Sequence, residues 1–291
     1  MSKIVDIVAF CGGGGHPKLS SYKAKKINLC QYVIKPAFTL AETLITLAVI
    51  GIVAAMTLPS LVGRYQEKVT VNKLKQTYSL LSQAFEQAIN EEGPVENWCN
   101  INGGSETYND CSVKMTNILG RYVKKLRDCY DFSKDKNICL SKSYLNRYSS
   151  STWKPSSDWL GFVMTNGVAV AVSSINGDRN RSTWCAASLA NTRHMNRYTG
   201  NCGSIYVDLN SVGRPNISDR DLFTFSIYKD GITPFGKAND TVWVDSFDLC
   251  IGKKIDAAYP GRCAAWVIVN ENMDYLHCSD LSWSGKSKCS K

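Results

Sequence analysis

"KPAFTLAETLITLAVIGIVAAMTLPSLV" (Lys35–Val62) holds two residues that an ordinary membrane span avoids, Glu42 near its start and Pro59 near its end. From Phe38 to Val62 the chain runs 25 residues without Lys or Arg. At ~1.5 Å per residue, a helix of that length crosses a ~30 Å hydrocarbon core. Lysines precede it, which places the N-terminal side in the cytoplasm. A carboxylate at bilayer depth costs ~2.5–3.5 kcal/mol on insertion scales, so Glu42 needs a partner. Proline has no amide hydrogen and clashes with the preceding turn, so Pro59 predicts a kink or a locally melted turn.

The helical pattern does not stop with the apolar run. "RYQEK" follows directly, and Val71, Leu74, Tyr78, Leu81, Phe85 and Ala88 then recur at steps of three and four, a single apolar stripe. Gly93 and Pro94 end it: glycine accepts a left-handed cap, and proline cannot continue a helix. The expectation is one helix of about 55 residues, ~80 Å long. Its parts are a membrane half at residues 38–62 and an amphipathic half at residues 63–93. Residues 1–37, with "CGGGGHPKLSSYKAKK" and no periodicity, read as a leader.

The amphipathic half must pack on something, and residues 94–291 supply it. Residues 97–160 are polar and loop-rich, with a short helix expected at Val113–Leu126. Phe162–Ser174 carries two β-rich runs around Asn166-Gly167, a hairpin signal. Ser204–Asn210, Asp221–Gly231 and Cys263–Leu276 read as further strands. In Leu222–Tyr228 the faces alternate, with Leu222, Thr224, Ser226 and Tyr228 opposite Phe223, Phe225 and Ile227. The expected fold is α+β: a long N-terminal helix, transmembrane then amphipathic, packed on one face of an antiparallel β-sheet. Cysteine-tied loops, especially residues 97–160 and 176–203, would decorate it.

Of twelve cysteines, Cys11 and Cys30 lie in the leader and ten follow the helix. These are Cys99, Cys111, Cys129, Cys139, Cys185, Cys202, Cys250, Cys263, Cys278 and Cys289. Zinc sites use short ligand pairs, whereas the nearest spacing here is ten residues. Scattered cysteines in even number suit disulfides in an oxidising compartment, with buried free thiols as the alternative and the connectivity open.

Net charge is +9, of which residues 1–37 hold +5 and the rest only +4. Charge so dispersed lacks the clustering of a nucleic-acid footprint and reads as a mildly basic solvated surface. His16, His194 and His277 show neither metal nor triad spacing, and "GGGGHPK" and the "SGK" at Ser284–Lys286 lack the full phosphate-loop pattern. With no nucleophile, base and oxyanion donors in combination, no enzyme is expected.

Ala37 followed by Phe38-Thr39-Leu40-Ala41-Glu42, behind a basic leader, resembles the N-terminus of type IV pilins and of type II secretion pseudopilins. Pro59, 22 residues beyond Ala37, stands where that family carries a proline. The match covers about 30 residues, and the chain departs from it in one place, with Ala37 where the family has Gly. The resemblance implies cleavage after Ala37 by a prepilin peptidase, N-methylation of Phe38, and pairing of Glu42 with the Phe38 amine of a neighbouring subunit. It also implies that the helix yields at Pro59. The implied partners are other pilin-like subunits and an inner-membrane assembly machinery. The chain would sit in the bacterial inner membrane and then in a periplasmic or extracellular filament.

A further likeness, to large proteins with a prepilin-type N-terminus, covers "YVDLNSVGRPNISDRDLFTFSI" and "CAAWVIVNENMDYL", and carries over Asp208, Asn210, Pro215, Asn216 and Asp221. With Asp219 these give hard oxygen donors, and two readings stay open. One is a calcium site completed by backbone carbonyls and water; the other is an Asx-rich turn between strands. No other cofactor is expected. The functional expectation is a pilin or minor-pilin subunit. The alternative is a membrane-anchored or secreted disulfide-rich binding protein that does not polymerise, with "VAA" at Val53–Ala55 as an ordinary signal-peptidase site.

Overall fold

The structure is a computed structural model describing residues 39–99, 108–129, 139–155, 160–174, 185, 200–236, 246–253 and 260–290. The leader, Ala37 and Phe38 lie outside the described residues. The chain divides into two compact units, residues 1–64 and 65–291.

Helix α1 runs from Leu40 to Glu92, 53 residues, with Pro59 inside it. Its residues in the first unit are apolar on every side and remain open: Leu40 is 78% exposed and Met56 is 76% exposed. This apolar stretch is long enough to cross a membrane, and none of it is buried.

In the second unit α1 becomes amphipathic as expected. Val71, Leu74, Leu81, Phe85 and Ala88 are buried, joined by Thr77 and Ala84, and Tyr78 packs beside them half-buried. Gly93 ends the helix with φ 83°, its N–H donating to the Ile89 carbonyl at 3.0 Å. Trp98, just beyond, donates its indole N–H to the Gly93 carbonyl at 2.8 Å and packs its ring 5.6 Å from that of Phe85. The chain thus turns back on the helix it has just left.

The rest of this unit is built on a six-stranded antiparallel sheet. Its strands are β1 (Lys125–Cys129), β4 (Gly161–Met164), β5 (Ala169–Ser174), β6 (Asn201–Asp208), β7 (Leu222–Tyr228) and β8 (Gly231–Pro234), in that spatial order. The excursion between β1 and β4 forms a separate two-stranded ribbon, β2 (Tyr144–Leu145) with β3 (Thr152–Trp153). The Asn166-Gly167 turn joins β4 to β5: Gly167 has φ 78° and Asn166 Oδ1 accepts the Val168 N–H at 3.1 Å. Phe223, Phe225 and Ile227 of β7, Ile205 and Val207 of β6, and Val170 and Val172 of β5 share one core with the α1 stripe. Helix α2 (Tyr108–Arg121) joins that core through Cys111, Met115, Ile118 and Leu119.

Three expectations need correction. The sheet is covered on both faces, for Ala169, Ala171, Tyr206 and Leu222 on the other side pack with Cys139, Leu140, Tyr144 and Trp153. Part of the expected decoration in residues 97–160 is therefore a layer of the fold. The short helix ends at Arg121, and Lys125–Cys129 is an edge strand with a bulge. Its charged sequence carries no strand signal, because pairing with β4 rather than propensity holds it. Finally, Cys263–Leu276 is not a strand. Ala264–Asn270 is helix α4, and a 3-10 turn follows at Asp274–Leu276. Ala264, Ala265, Trp266 and Val267 are all buried, and such an unbroken apolar run has no period to tell strand from helix. Trp266 stacks on Phe247 of helix α3 (Ser246–Cys250) with ring centroids 4.6 Å apart.

The ten cysteines pair with their sequence neighbours: Cys99–Cys111, Cys129–Cys139, Cys185–Cys202, Cys250–Cys263 and Cys278–Cys289. All close short loops of 10 to 17 residues, each of which removes roughly 3 kcal/mol of loop entropy from the unfolded chain in the entropic account.

Candidate functional site

Two places carry the residues singled out in the sequence: the start of α1 and the loop from Asp208 to Asp221.

At the start of α1, the backbone N–H and the hydroxyl of Thr39 both donate to Glu42 Oε2 at 2.9 Å. Glu42 returns its own N–H to Thr39 Oγ1 at 3.2 Å. This reciprocal arrangement is a capping box, which satisfies amide groups that the first turn of a helix leaves without partners. Its signature, Thr39-x-x-Glu42, is local and legible in the sequence. Glu42 therefore has a partner within its own chain. Pro59 lies within the helix, where it removes the hydrogen bond that the Ala55 carbonyl would otherwise accept.

The five candidate calcium donors are distributed as hydrogen-bond acceptors and turn formers. Asp208, at the end of β6, is fully buried and accepts from the Tyr144 hydroxyl and from the Asn210 N–H at 3.0 Å. Asn210 donates its side-chain amide to the Arg214 carbonyl at 3.0 Å, closing the turn just before Pro215. Asp221 takes the N–H groups of Asn216 and Ile217 at 2.6 and 2.7 Å, one on each oxygen. Asp219 reaches the other way, accepting the Cys263 N–H at 2.7 Å and the Ser218 hydroxyl at 3.1 Å. Asn216 and Asp219 adopt left-handed φ values of 55° and 63°, which short polar side chains tolerate best. Among the described residues no group of three or more His, Cys, Asp or Glu side chains is placed to hold a metal ion.

What the loop does instead is join layers. The Leu145 N–H donates to the Asn216 carbonyl at 2.9 Å and the Ser218 N–H to the Leu145 carbonyl at 3.0 Å, tying β2 to the loop. The Tyr275 hydroxyl donates to the Asp219 carbonyl at 2.8 Å, and Lys73 of α1 donates to the Leu209 carbonyl. Arg147 lies over the Tyr148 and Tyr275 rings, 4.3 and 4.8 Å from their centroids, and its charge acts on Asp219. Lys73, the pair Tyr144 and Arg147, and Tyr275 come from three distant segments, and no local pattern marks them.

Burial dominates the electrostatics here. It raises Asp208 to about 8, against the opposing hydrogen bonds from Tyr144 and Asn210, and the neighbouring charge of Asp221 raises it further. Asp219 and Asp221 are also raised by burial, opposed by Arg147 at Asp219 and by the Ile217 and Asn216 amides at Asp221. Lys73 is lowered by burial, with Asp208 pulling the other way. Burial thus shifts all three carboxyls toward the protonated form relative to exposed carboxylates.

Comparison with protein-family models, with curated proteins and with solved structures finds no match to this chain. The functional reading therefore rests on its own residues.

Proposed function

We propose that the chain is a pilin-like structural subunit, a pilin or minor pilin of a type IV pilus or of a related type II secretion filament. The observation that carries this reading is α1 itself. One continuous helix presents an apolar half open on all sides and a second half whose inner stripe is buried against an antiparallel sheet. The pilin-like layout of a helix-borne α+β unit, the Phe38-to-Glu42 motif and the interior Pro59 support the same reading.

In this account a leader is removed after Ala37 by a prepilin peptidase, Phe38 becomes the methylated N-terminus, and the subunit waits in the bacterial inner membrane. The ten cysteines, paired as disulfides, support an oxidising setting for the segment that bears them. Glu42, held by Thr39 in its own chain, gains a cationic partner when a neighbour's Phe38 amine arrives. In a medium of low dielectric that exchange favours insertion in register. Heterologous contacts between helices then propagate into a filament without closing.

Mass spectrometry of the mature N-terminus tests the reading. Methyl-Phe38 is the expected result. A chain starting at Met56 identifies a secreted binding protein, and an uncut chain a plain anchor; either overturns the proposal.

A further inference from the structure

The apolar run of α1 ends at Val62, and the globular unit begins at Tyr65. A helix rises ~1.5 Å per residue, so Tyr65, Glu67 and Lys68 stand within ~9 Å of Val62 along the axis. Beyond the hydrocarbon of a bilayer the headgroup layer is ~5–8 Å deep. With the run inserted, these residues occupy that layer or its outer edge. Tyr65 is 67% exposed, and Val69, one turn on, is 45% exposed. An amphipathic ring with an apolar neighbour suits the headgroup boundary better than open water.

A second segment of the same unit is held at this level. His277 Nε2 meets Glu67 Oε1 at 2.8 Å. Cys278 follows it and is joined to Cys289, whose N–H donates to Asp274 Oδ2 at 2.7 Å. Lys288 is thereby fixed next to the bridge that adjoins His277. Residues 65–70 and 272–290 contain three acidic side chains, and each is engaged: Glu67 with His277, Asp274 with the Cys289 amide, and Asp280 with Lys286 at 2.6 Å. Lys68 and Lys288 are exposed, and neither has an acidic partner among the described residues. Exposed lysines elsewhere on the unit, such as Lys124, are ordinary solvated groups. These two differ because the anchor carries them to a surface.

We infer that the Tyr65–Val69 turn and the Cys278–Cys289 loop form a docking surface for the phosphates of anionic phospholipid headgroups, with Lys68 and Lys288 as the cations. The occupant follows from the anchor and from charge. Phosphate is the anion present at headgroup depth, and a lysine amine meets it as a point charge. Tyr65 and Val69 supply the apolar margin of the same contact. A free phosphate would meet the same two amines, but no anchor would concentrate it there. The inference deepens the membrane stage of the proposed function and rests on it. The subunit waiting in the bilayer keeps this surface on the headgroups, and leaves them when it is pulled into a filament.

The test uses the full chain inserted into nanodiscs of phosphatidylcholine alone or of phosphatidylcholine mixed with phosphatidylglycerol. The readouts are amide hydrogen exchange and acetylation of individual lysines. In the anionic bilayer, exchange of residues 277–290 and acetylation of Lys68 and Lys288 should slow by about fivefold or more, the effect of one lysine near an anionic surface. Lys124 lies two residues from Tyr122, which bonds Glu91 and Glu92 at the other end of the half-helix, and serves as the unaffected reference. K68Q/K288Q should melt as the native protein does and lose the lipid dependence of residues 277–290, whereas K68R/K288R should keep it. Inorganic phosphate added to the neutral nanodisc should not reproduce the slowing. Equal exchange in the two bilayers overturns the inference, as does a lipid dependence that survives K68Q/K288Q, or equal slowing by inorganic phosphate. A chain that inserts in neither bilayer refutes the membrane reading, and the docking surface with it. An inserted chain without lipid dependence refutes the docking surface alone.

Discussion

The two halves of α1 share one helix and differ in what their side chains meet. In residues 40–64 apolar groups face outward on all sides, and the described structure offers them nothing to pack on. In residues 65–92 the apolar groups form a stripe, and the sheet covers it. The same backbone geometry thus carries two patterns of burial. A helix apolar all round is stable only in lipid or among other helices, and an amphipathic one only against a core. A substitution should therefore have opposite consequences depending on which half receives it.

The largest expected contrast is Phe85→Ala against Ile50→Ala. Phe85 is 2% exposed and packs against Trp98, so its loss should cost about 3–5 kcal/mol of the globular unit's stability. Ile50 is 64% exposed, and its truncation should leave that unit's melting unchanged. Equal effects in a thermal melt would break the comparison.

Pro59→Ala comes next. Proline inside a helix is disfavoured by about 3 kcal/mol, so alanine should strengthen the proximal half and raise amide protection around residues 55–60. Filament incorporation should fall if bending at this point is needed. Unchanged protection would show that the proline does not weaken the helix.

A pH dependence sharpens the comparison from the distal side, where Lys73 of α1 touches the Asp208 loop. Burial holds Asp208 at about 8, so the folded protein keeps a proton that the unfolded chain releases in the ordinary carboxylate range. This contribution is complete below about pH 4 and is lost as pH rises toward 8. Stability should fall across that window by an amount on the order of a few kcal/mol, read as a lower melting temperature, and Asp208→Asn should flatten the decline. A melt that gains stability across the same range would contradict this assignment. Calcium should leave the melting temperature unchanged if the loop is the hydrogen-bonded turn described; a calcium-dependent rise lost in Asp208→Ala would reinstate a cation site.

The smallest effect on folding belongs to Glu42→Ala. It removes the capping box at an exposed helix end, so melting of residues 65–291, cleavage and membrane insertion should be unchanged. If the chain assembles as proposed, incorporation into filaments should nonetheless be impaired. Normal incorporation would remove the role assigned to the carboxylate.

Legibility followed the range of the interactions. The α1 stripe, the Gly93 stop, the Asn166-Gly167 hairpin and the alternation in Leu222–Tyr228 all depend on neighbours a few residues away, and all were readable. Strand β1 was missed because Lys125–Cys129 is a strand by virtue of β4. Helix α4 was misread because four consecutive buried residues have no periodicity. The Thr39-x-x-Glu42 capping box is equally local. Tyr144, Arg147 and Tyr275 gather around the Asp208–Asp221 loop from distant segments, and no spacing rule reaches that far.

The sequence alone determined the long helix, its division into a lipid-like and an amphipathic half, its stops and the hairpin, because each follows from backbone periodicity and local sterics. It also supplied the count of cysteines and the expectation that they form disulfides. Only the tertiary structure decided which cysteines pair, that a second layer covers the far face of the sheet, and that the loop carboxylates are buried acceptors rather than open donors. Those outcomes depend on which distant groups arrive at the same place, and burial is a property of the assembled fold.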